Sequence, residues 1–275
     1  MLWKTGPKAA IGSLAVMAPG VTIGLQVIPQ HGDYEPMKRA WVEADELGAD
    51  RIYNWDHFYP LSGDRDGKHF ESLTIQAAMA ALTKRAEISS LVICNSYRNP
   101  NLLADMARTI DHISGGRFVL GIGSGWFDKD YDEYGYEFGT AGSRLRDLDR
   151  DLPIIKARWQ KLNPPPLHRI PILIGGGGEK VTLRIVAEHA DIWHSFGDPE
   201  TMKRKSAILD DWCAQVGRNP TEIVRSVSIN RLNGEQQDAE RYLELGFSDF
   251  VVSVAGPDWD LAPLRKALAW RDSLG

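Results

Sequence analysis

From residue 21 onward, short apolar runs alternate with longer amphipathic stretches, and the alternation repeats eight times. The first run, Val21-Thr22-Ile23-Gly24-Leu25-Gln26-Val27-Ile28, predicts a strand followed by a helix over residues 34–47, with Gly48 placed as its C-cap. Arg51-Ile52-Tyr53-Asn54-Trp55 predicts a second strand, and the alanines and leucines of 71–83 recur at helical spacing. A third strand over 88–94 precedes a helix over 101–113 begun by Pro100. A fourth, over 117–123, leads into an aromatic, acidic loop at 126–138 and a helix over 143–160. Four more units follow: strand 170–174 with helix 180–189, strand 191–196 with helix 199–216, strand 223–229 with helix 239–245, and strand 250–254 with helix 261–273. Eight strand-helix units predict an α/β fold, a single (β/α)8 TIM barrel over 21–275, because an open doubly wound sheet needs fewer strands.

In such a barrel the ligand sits at the carboxyl ends of the strands. Those ends are polar, aromatic or glycine-rich here. Ile170-Pro171-Ile172-Leu173-Ile174 runs into Gly175-Gly176-Gly177-Gly178-Glu179-Lys180, a buried strand ending in glycines that open a helix. Glycines let backbone N–H groups approach an anion, and the helix start adds unsatisfied donors, so the run predicts a phosphate cradle. The alternative is a strand-to-helix turn, for which four glycines are more than required. At the second strand end, Asp56-His57 offers proton chemistry near neutral pH. Equally open is a helix-capping Asp56 beside a packed His57.

Composition narrows the class. The chain has 275 residues, 43% hydrophobic and 25% charged, with a net charge of -5, which fits one large globular domain. The mildly acidic balance and the lack of a basic stripe argue against nucleic-acid binding. Cys94 and Cys213 have neither the number nor the spacing of a disulfide framework or zinc site, so no metal is expected and a reducing, cytoplasmic compartment is the default. Nine tryptophans and eight tyrosines are enough to line an apolar pocket. Residues 9–28 carry no charge and follow Lys4 and Lys8, as an export signal would. Gly12, Pro19 and Gly20 interrupt that stretch, however, and its second half is needed as the first strand. Residues 1–20 therefore read as a loosely ordered N-terminal extension, with no membrane segment.

Five segments together resemble the luciferase-like flavin and deazaflavin oxidoreductases, particularly the coenzyme F420-dependent branch. They are Trp55-Asp56-His57-Phe58, Cys94-Asn95-Ser96-Tyr97-Arg98-Asn99-Pro100, Ser114-Gly115-Gly116-Arg117-Phe118, Gly121-Ile122-Gly123-Ser124-Gly125-Trp126 and Ile174-Gly175-Gly176-Gly177-Gly178. The resemblance covers about residues 21–255. It implies a barrel with coenzyme F420 across the strand ends, hydride transfer to or from its central ring, a small-molecule substrate and a homodimer. Residue by residue, it implies that Asp56 contacts the deazaflavin and that His57 is the acid, base or charge stabiliser. It places a non-prolyl cis peptide near Leu91-Val92 and sets Cys94 and Asn95 at the border of the ring. Gly176, Gly177 and Gly178 would hold the phosphate. Gly125 and Trp126 stand where some relatives carry an acidic catalytic residue, which puts a proton role there in doubt.

Glu71 and His194 are secondary catalytic candidates, although a helix-start glutamate and a strand-end histidine are more often structural. Lys180 and Arg184 could meet the cofactor's acidic tail or simply face solvent, and Arg98 suits that tail or a structural ion pair. The nearest alternative is an FMN-dependent monooxygenase of the same fold. From another class comes a non-catalytic flavin- or deazaflavin-binding carrier. An aldolase-type barrel lacks the strand-end lysine within an apolar run that a Schiff base needs. The substrate is left to loops 64–69 and 126–138.

Overall fold

The computed structural model describes residues 20–230 and 239–274. Its strands and helices follow one another as β1 (Thr22–Val27), α1 (Tyr34–Leu47), β2 (Arg51–Asn54), α2 (Ser72–Leu82), β3 (Glu87–Ser90), β4 (Ile93–Cys94), α3 (Pro100–Ser114), β5 (Leu120–Gly123), α4 (Asp128–Tyr134) and α5 (Ala141–Trp159). The second half continues as β6 (Ile172–Gly175), α6 (Thr182–His189), β7 (Ile192–Ser195), α7 (Pro199–Val216), β8 (Val224–Ser228), α8 (Ala239–Glu244), β9 (Asp249–Val254) and α9 (Ala262–Asp272). Residues 1–19 of the expected extension lie outside the described residues.

All strand pairs are parallel, in the order β3-β2-β1-β9-β8-β7-β6-β5-β4. The two ends of that order are successive halves of one barrel strand, so the sheet curls back on itself. A bridge between Ile88 and Phe118 joins β3 to the residues before β5, with the Ile88 N–H donating to Arg117 O and the Val119 N–H to Ile88 O. The sheet is the expected barrel, with two departures. The strand predicted over 88–94 is split at Leu91-Val92, a cis peptide bond, so β3 pairs with β2 and β4 with β5. The loop at 126–138 contains a helix, α4, which raises the helices after β5 to two.

Apolar side chains occupy two layers. The larger packs the helices against the outside of the sheet and includes Trp41, Ile52, Leu103, Ile122, Trp193 and Phe250. Inside the barrel a smaller set, Tyr53, Val119, Leu173, Ile192 and Val251, is joined by Leu91 and Val92. The amino-terminal floor is polar. There Arg51 donates to Glu87, to Tyr53 Oη at 2.9 Å and to Asp249 Oδ1 at 3.3 Å. Buried charge of this kind is sustained only when paired and hydrogen-bonded. With apolar packing and this ion cluster filling the lower barrel, the carboxyl ends of the strands are left for chemistry. No described helix is long and apolar enough to cross a membrane.

Candidate active site at the carboxyl ends of the strands

His57 follows β2, and its ring is set by a residue 73 positions away. Nδ1 lies 2.7 Å from Asp130 Oδ2. Asp130 is fully buried on α4, and its other oxygen accepts from the Phe58 and Tyr59 N–H groups at 3.1 and 3.2 Å. Tyr97 Oη donates to Oδ2 at 3.0 Å. A carboxylate at Nδ1 places the imidazole proton on that nitrogen and turns Nε2 into the working position. Nε2 makes no bond among the described residues. Three aromatic rings hold the imidazole edge to face: Trp55 at 5.7 Å, Trp126 at 5.8 Å and Phe127 at 5.4 Å between centroids. Trp126 is 62% exposed, at the barrel mouth.

Asp130 was not singled out in the sequence. The signal was present, because Phe127, Asp130, Tyr131 and Tyr134 recur at helical spacing and share one face. Four acidic residues crowd this segment, and only the packed helix shows which one turns inward.

Asp56, beside His57, is also buried, and three protein donors take up its carboxylate. Arg98 approaches it in a forked pair, Nη1 to Oδ2 at 2.6 Å and Nη2 to Oδ1 at 2.9 Å, and the Cys94 N–H donates at 2.9 Å. The same guanidinium reaches Glu71 at 2.6 Å. Burial alone would weaken the charge on Arg98, but the two carboxylates outweigh it and hold its pKa above the usual range. Glu71 caps α2, accepting from the Leu73 and Thr74 N–H groups at 3.1 and 2.7 Å. Burial opposes ionisation of Glu71, yet those bonds and Arg98 leave its pKa below the ordinary glutamate value. Of the two roles considered for Arg98, the structure has the ion pair, and its forked geometry ties the end of β2 to the start of α3.

His194 stands on β7, with Nδ1 2.8 Å from Ser226 Oγ and Nε2 3.2 Å from Ser228 Oγ. Burial pushes its pKa down to about 4, so the ring is neutral at physiological pH. No bond joins it to His57. His69 accepts at Nε2 from the Trp55 indole N–H at 2.9 Å, and burial with the nearby His57 pushes it down to about 4 as well.

The cis bond falls at Leu91-Val92, where the resemblance placed it. Val92 projects over the ends of β5 and β6. A Cβ added to Gly123 or to Gly175 would lie 2.7 Å from a Val92 methyl, so the glycines ending β5 and β6 make room for that side chain. Cys94 Sγ lies 3.2 Å from Tyr131 Oη, and burial pushes the thiol up to about 11, far from a nucleophilic thiolate. Asn95 Nδ2 donates to Asp151 on α5 at 2.8 Å. A polar cleft of about 420 Å³ opens on that side, lined by Asn95, Arg98, Arg144, Asp147 and Asp151 among others; its lining suits a polar group rather than a flat apolar ring. Gly125 has a φ of 81°, and a Cβ there would collide with Tyr131 Oη and Cys94 Sγ.

The glycine run closes the other side of the mouth. Gly176 has a φ of 130°. Its N–H donates to His194 O at 3.0 Å and its carbonyl accepts from the Trp193 indole at 2.8 Å. The N–H groups of Gly177, Gly178 and Glu179 meet no protein acceptor among the described residues. A Cβ on Gly177 would sit 2.9 Å from Ser195 Oγ and run into Lys205 Nζ. Helix α6 starts at Thr182 rather than Lys180, which lengthens the turn available to a ligand. Lys180 is exposed, and Arg184 pairs with Asp149 and Glu188 instead of facing the run. Unbonded amides in a tight glycine turn fit a phosphate.

The family model described as luciferase-like monooxygenase matches residues 14–269, and the chain belongs to that family. It is an oxidoreductase. An uncharacterised protein of Mycobacterium tuberculosis (strain ATCC 25618 / H37Rv) is 29% identical over 243 residues, covering 78% of this chain and 81% of that protein. The F420-dependent glucose-6-phosphate dehydrogenase of Amycolatopsis mediterranei (strain U-32) is 28% identical over 158 residues, 51% of this chain and 47% of the relative. Among solved structures, an F420-dependent secondary alcohol dehydrogenase in complex with an F420-acetone adduct superposes with a TM-score of 0.76 at 16% identity, covering 88% of this chain and 96% of that one. A type II Baeyer-Villiger monooxygenase of Pseudomonas putida in complex with FMN superposes at 0.62 and 17% identity, covering 77% and 67%. At these identities the superpositions report the fold.

Proposed function

We propose that this chain transfers a hydride between coenzyme F420 and a small organic substrate, with His57 as the proton-handling residue. The observation that carries the reading is the His57–Asp130 pair at the barrel mouth, a histidine whose tautomer is set by a fully buried carboxylate and whose Nε2 is unbonded. When bound, the deazaflavin supplies the carbon that accepts or gives up the hydride. Gly177 and Gly178 would hold its phosphate through their free N–H groups, and Val92 and Cys94 would border its ring. Nε2 of His57 takes up, or returns, the proton that accompanies the hydride. Asp130 holds the ring in place and stabilises it when charged. Trp126 and Phe127 flank the imidazole at the barrel mouth. Asp56 and Glu71 act through Arg98, keeping the ends of β2 and β4 in register, and so serve as positioning residues.

Support for the deazaflavin comes from the relatives named as F420-dependent, and support for the second reading, an FMN-dependent monooxygenase, comes from the FMN-bound neighbour. Titrating the purified apoprotein with each cofactor while following tryptophan fluorescence separates them. The expected result is binding of coenzyme F420 at least about tenfold tighter than FMN, or about 1.4 kcal/mol. Equal or reversed affinities would remove the F420 assignment.

A further inference from the structure

We infer that Ser195 and Lys205 complete the anion seat begun by Gly176–Gly178, so that this chain selects the phosphorylated form of its ring cofactor over the phosphate-free form. The inference rests on the reading above that a phosphorylated ring cofactor occupies the barrel mouth.

Three observations converge. The amides of Gly177, Gly178 and Glu179 have no acceptor among the described residues. Ser195, the last residue of β7, is 3% exposed, yet its hydroxyl has no hydrogen-bond partner among the described residues. That hydroxyl points at the turn, 2.9 Å from where a Gly177 Cβ would be. A serine that is buried as a residue, with its hydroxyl left to a turn rather than to a protein partner, offers a place where a ligand can complete the bonding. Lys205, on α7, lays its ammonium over the same glycine.

The charges around Lys205 set it apart. Arg204 pairs with Glu179, Arg225 with Asp210 at 2.6 Å, and Arg241 with Glu200 at 2.6 Å. Lys205 forms no ion pair among the described residues. Glu179 is the one carboxylate within the run itself. It is drawn off by Arg204, while its carbonyl accepts from the Trp212 indole at 2.9 Å, which anchors the turn to α7. The negative group that would repel a phosphate is thereby neutralised, and the ammonium that would attract one is left free. The helix that follows is short, eight residues from Thr182, so its dipole alone is a weak source of positive potential. A cation delivered from α7 supplies what α6 lacks, and Ser195 adds a neutral donor from the buried side.

The test is binding of matched pairs that differ only in phosphate: the 5′-phosphate of the ribityl deazaflavin core of F420 against the phosphate-free core, and FMN against riboflavin. Tryptophan quenching gives each Kd for the wild type, Lys205→Met, Lys205→Arg and Ser195→Ala, with thermal melts confirming that each variant folds. Lys205→Met is expected to weaken the phosphorylated partner about 10- to 100-fold, the range for a lost charge-assisted bond. The phosphate-free partner should change less than about twofold by the same argument. Lys205→Arg should recover most of the loss, and Ser195→Ala should weaken the phosphorylated partner about 3- to 10-fold, as for a neutral hydrogen bond. Equal loss for both members of a pair, or no loss, in folded Lys205→Met overturns the inference while leaving the cofactor reading intact. A Lys205-dependent preference seen with FMN and riboflavin, but no binding of either deazaflavin, upholds the inference and overturns the F420 assignment. Failure of both pairs to bind overturns both.

Discussion

At the scale of single residues, the chemistry of this site is a matter of which polar atoms are spoken for. Asp56, Glu71 and His194 each have their polar atoms engaged by protein partners, whereas His57 has one nitrogen fixed and one unbonded. His57→Ala is therefore expected to lower the hydride-transfer rate at saturating cofactor by about 10²–10⁴-fold. Cofactor affinity should change by no more than an ordinary hydrogen bond, about 0.5–1.5 kcal/mol. A normal rate in that variant would reduce the histidine to packing. Asp130→Asn tests the positioning role separately. An amide can present a donor to Nδ1 and move the imidazole proton to Nε2, so the rate should fall at least about tenfold, with an altered pH-rate profile and the cofactor Kd nearly unchanged. An unchanged pH profile would show that Asp130 serves packing alone. His194 and His69 report on stability instead. Both have pKa values pushed down to about 4, against about 6.5 in an unfolded chain. The unfolded state therefore binds protons first as the pH falls. The stability tied to their neutral burial is complete above about pH 6.5 and is lost as the pH drops toward 4, on the order of 3 kcal/mol for His194. Urea midpoints measured from pH 7.5 to 4.5 should fall through this window, and less steeply in His194→Asn. A flat profile would contradict the burial assigned to these rings.

At the scale of elements, short glycine segments do two different jobs. Gly123 and Gly175 yield space to Val92 inside the barrel, whereas Gly177 keeps clear a position ringed by Ser195 and Lys205. Gly177→Val should therefore weaken cofactor binding by at least about tenfold while the melting temperature stays within a few degrees, because its Cβ points into the cradle rather than the core. The positive φ in this turn belongs to Gly176, so the effect at Gly177 is one of occupied space, not backbone strain. Unchanged affinity in the folded variant would make the run a turn and nothing more. The element that reshapes the site most is α4. It rises out of a segment expected to be a loop and carries Asp130 to His57 across 73 residues of sequence.

At the scale of the whole molecule, the barrel closes through β1, which pairs with β2 on one side and β9 on the other. Those ladders begin at Thr22 and Gly24, and Thr22 Oγ1 donates to Asp249 Oδ1 at 2.7 Å. Removing residues 1–20 leaves every one of these bonds in place. The truncated chain is expected to melt within about 2–4 °C of the full one, a difference of no more than about 1 kcal/mol, and to bind cofactor equally well. Loss of soluble protein would show that the core extends further toward the amino terminus.

The alternation of apolar runs with amphipathic stretches determined the barrel, because each strand and helix declares its own period locally: α1 spans the predicted 34–47, and α7 the predicted 199–216. The glycine run and Asp56-His57 were legible for the same reason, as both are contiguous. The split of the third strand at Leu91-Val92 was legible only through the family resemblance, since nothing in the local pattern of 88–94 interrupts a strand. Asp130 at His57, Arg98 between Asp56 and Glu71, and Ser195 with Lys205 at Gly177 were decided by the tertiary structure alone. Each joins residues from different strand-helix units. Which of several acidic or basic side chains turns inward depends on how a helix is rotated against the barrel, and packing sets that rotation once the sheet has closed.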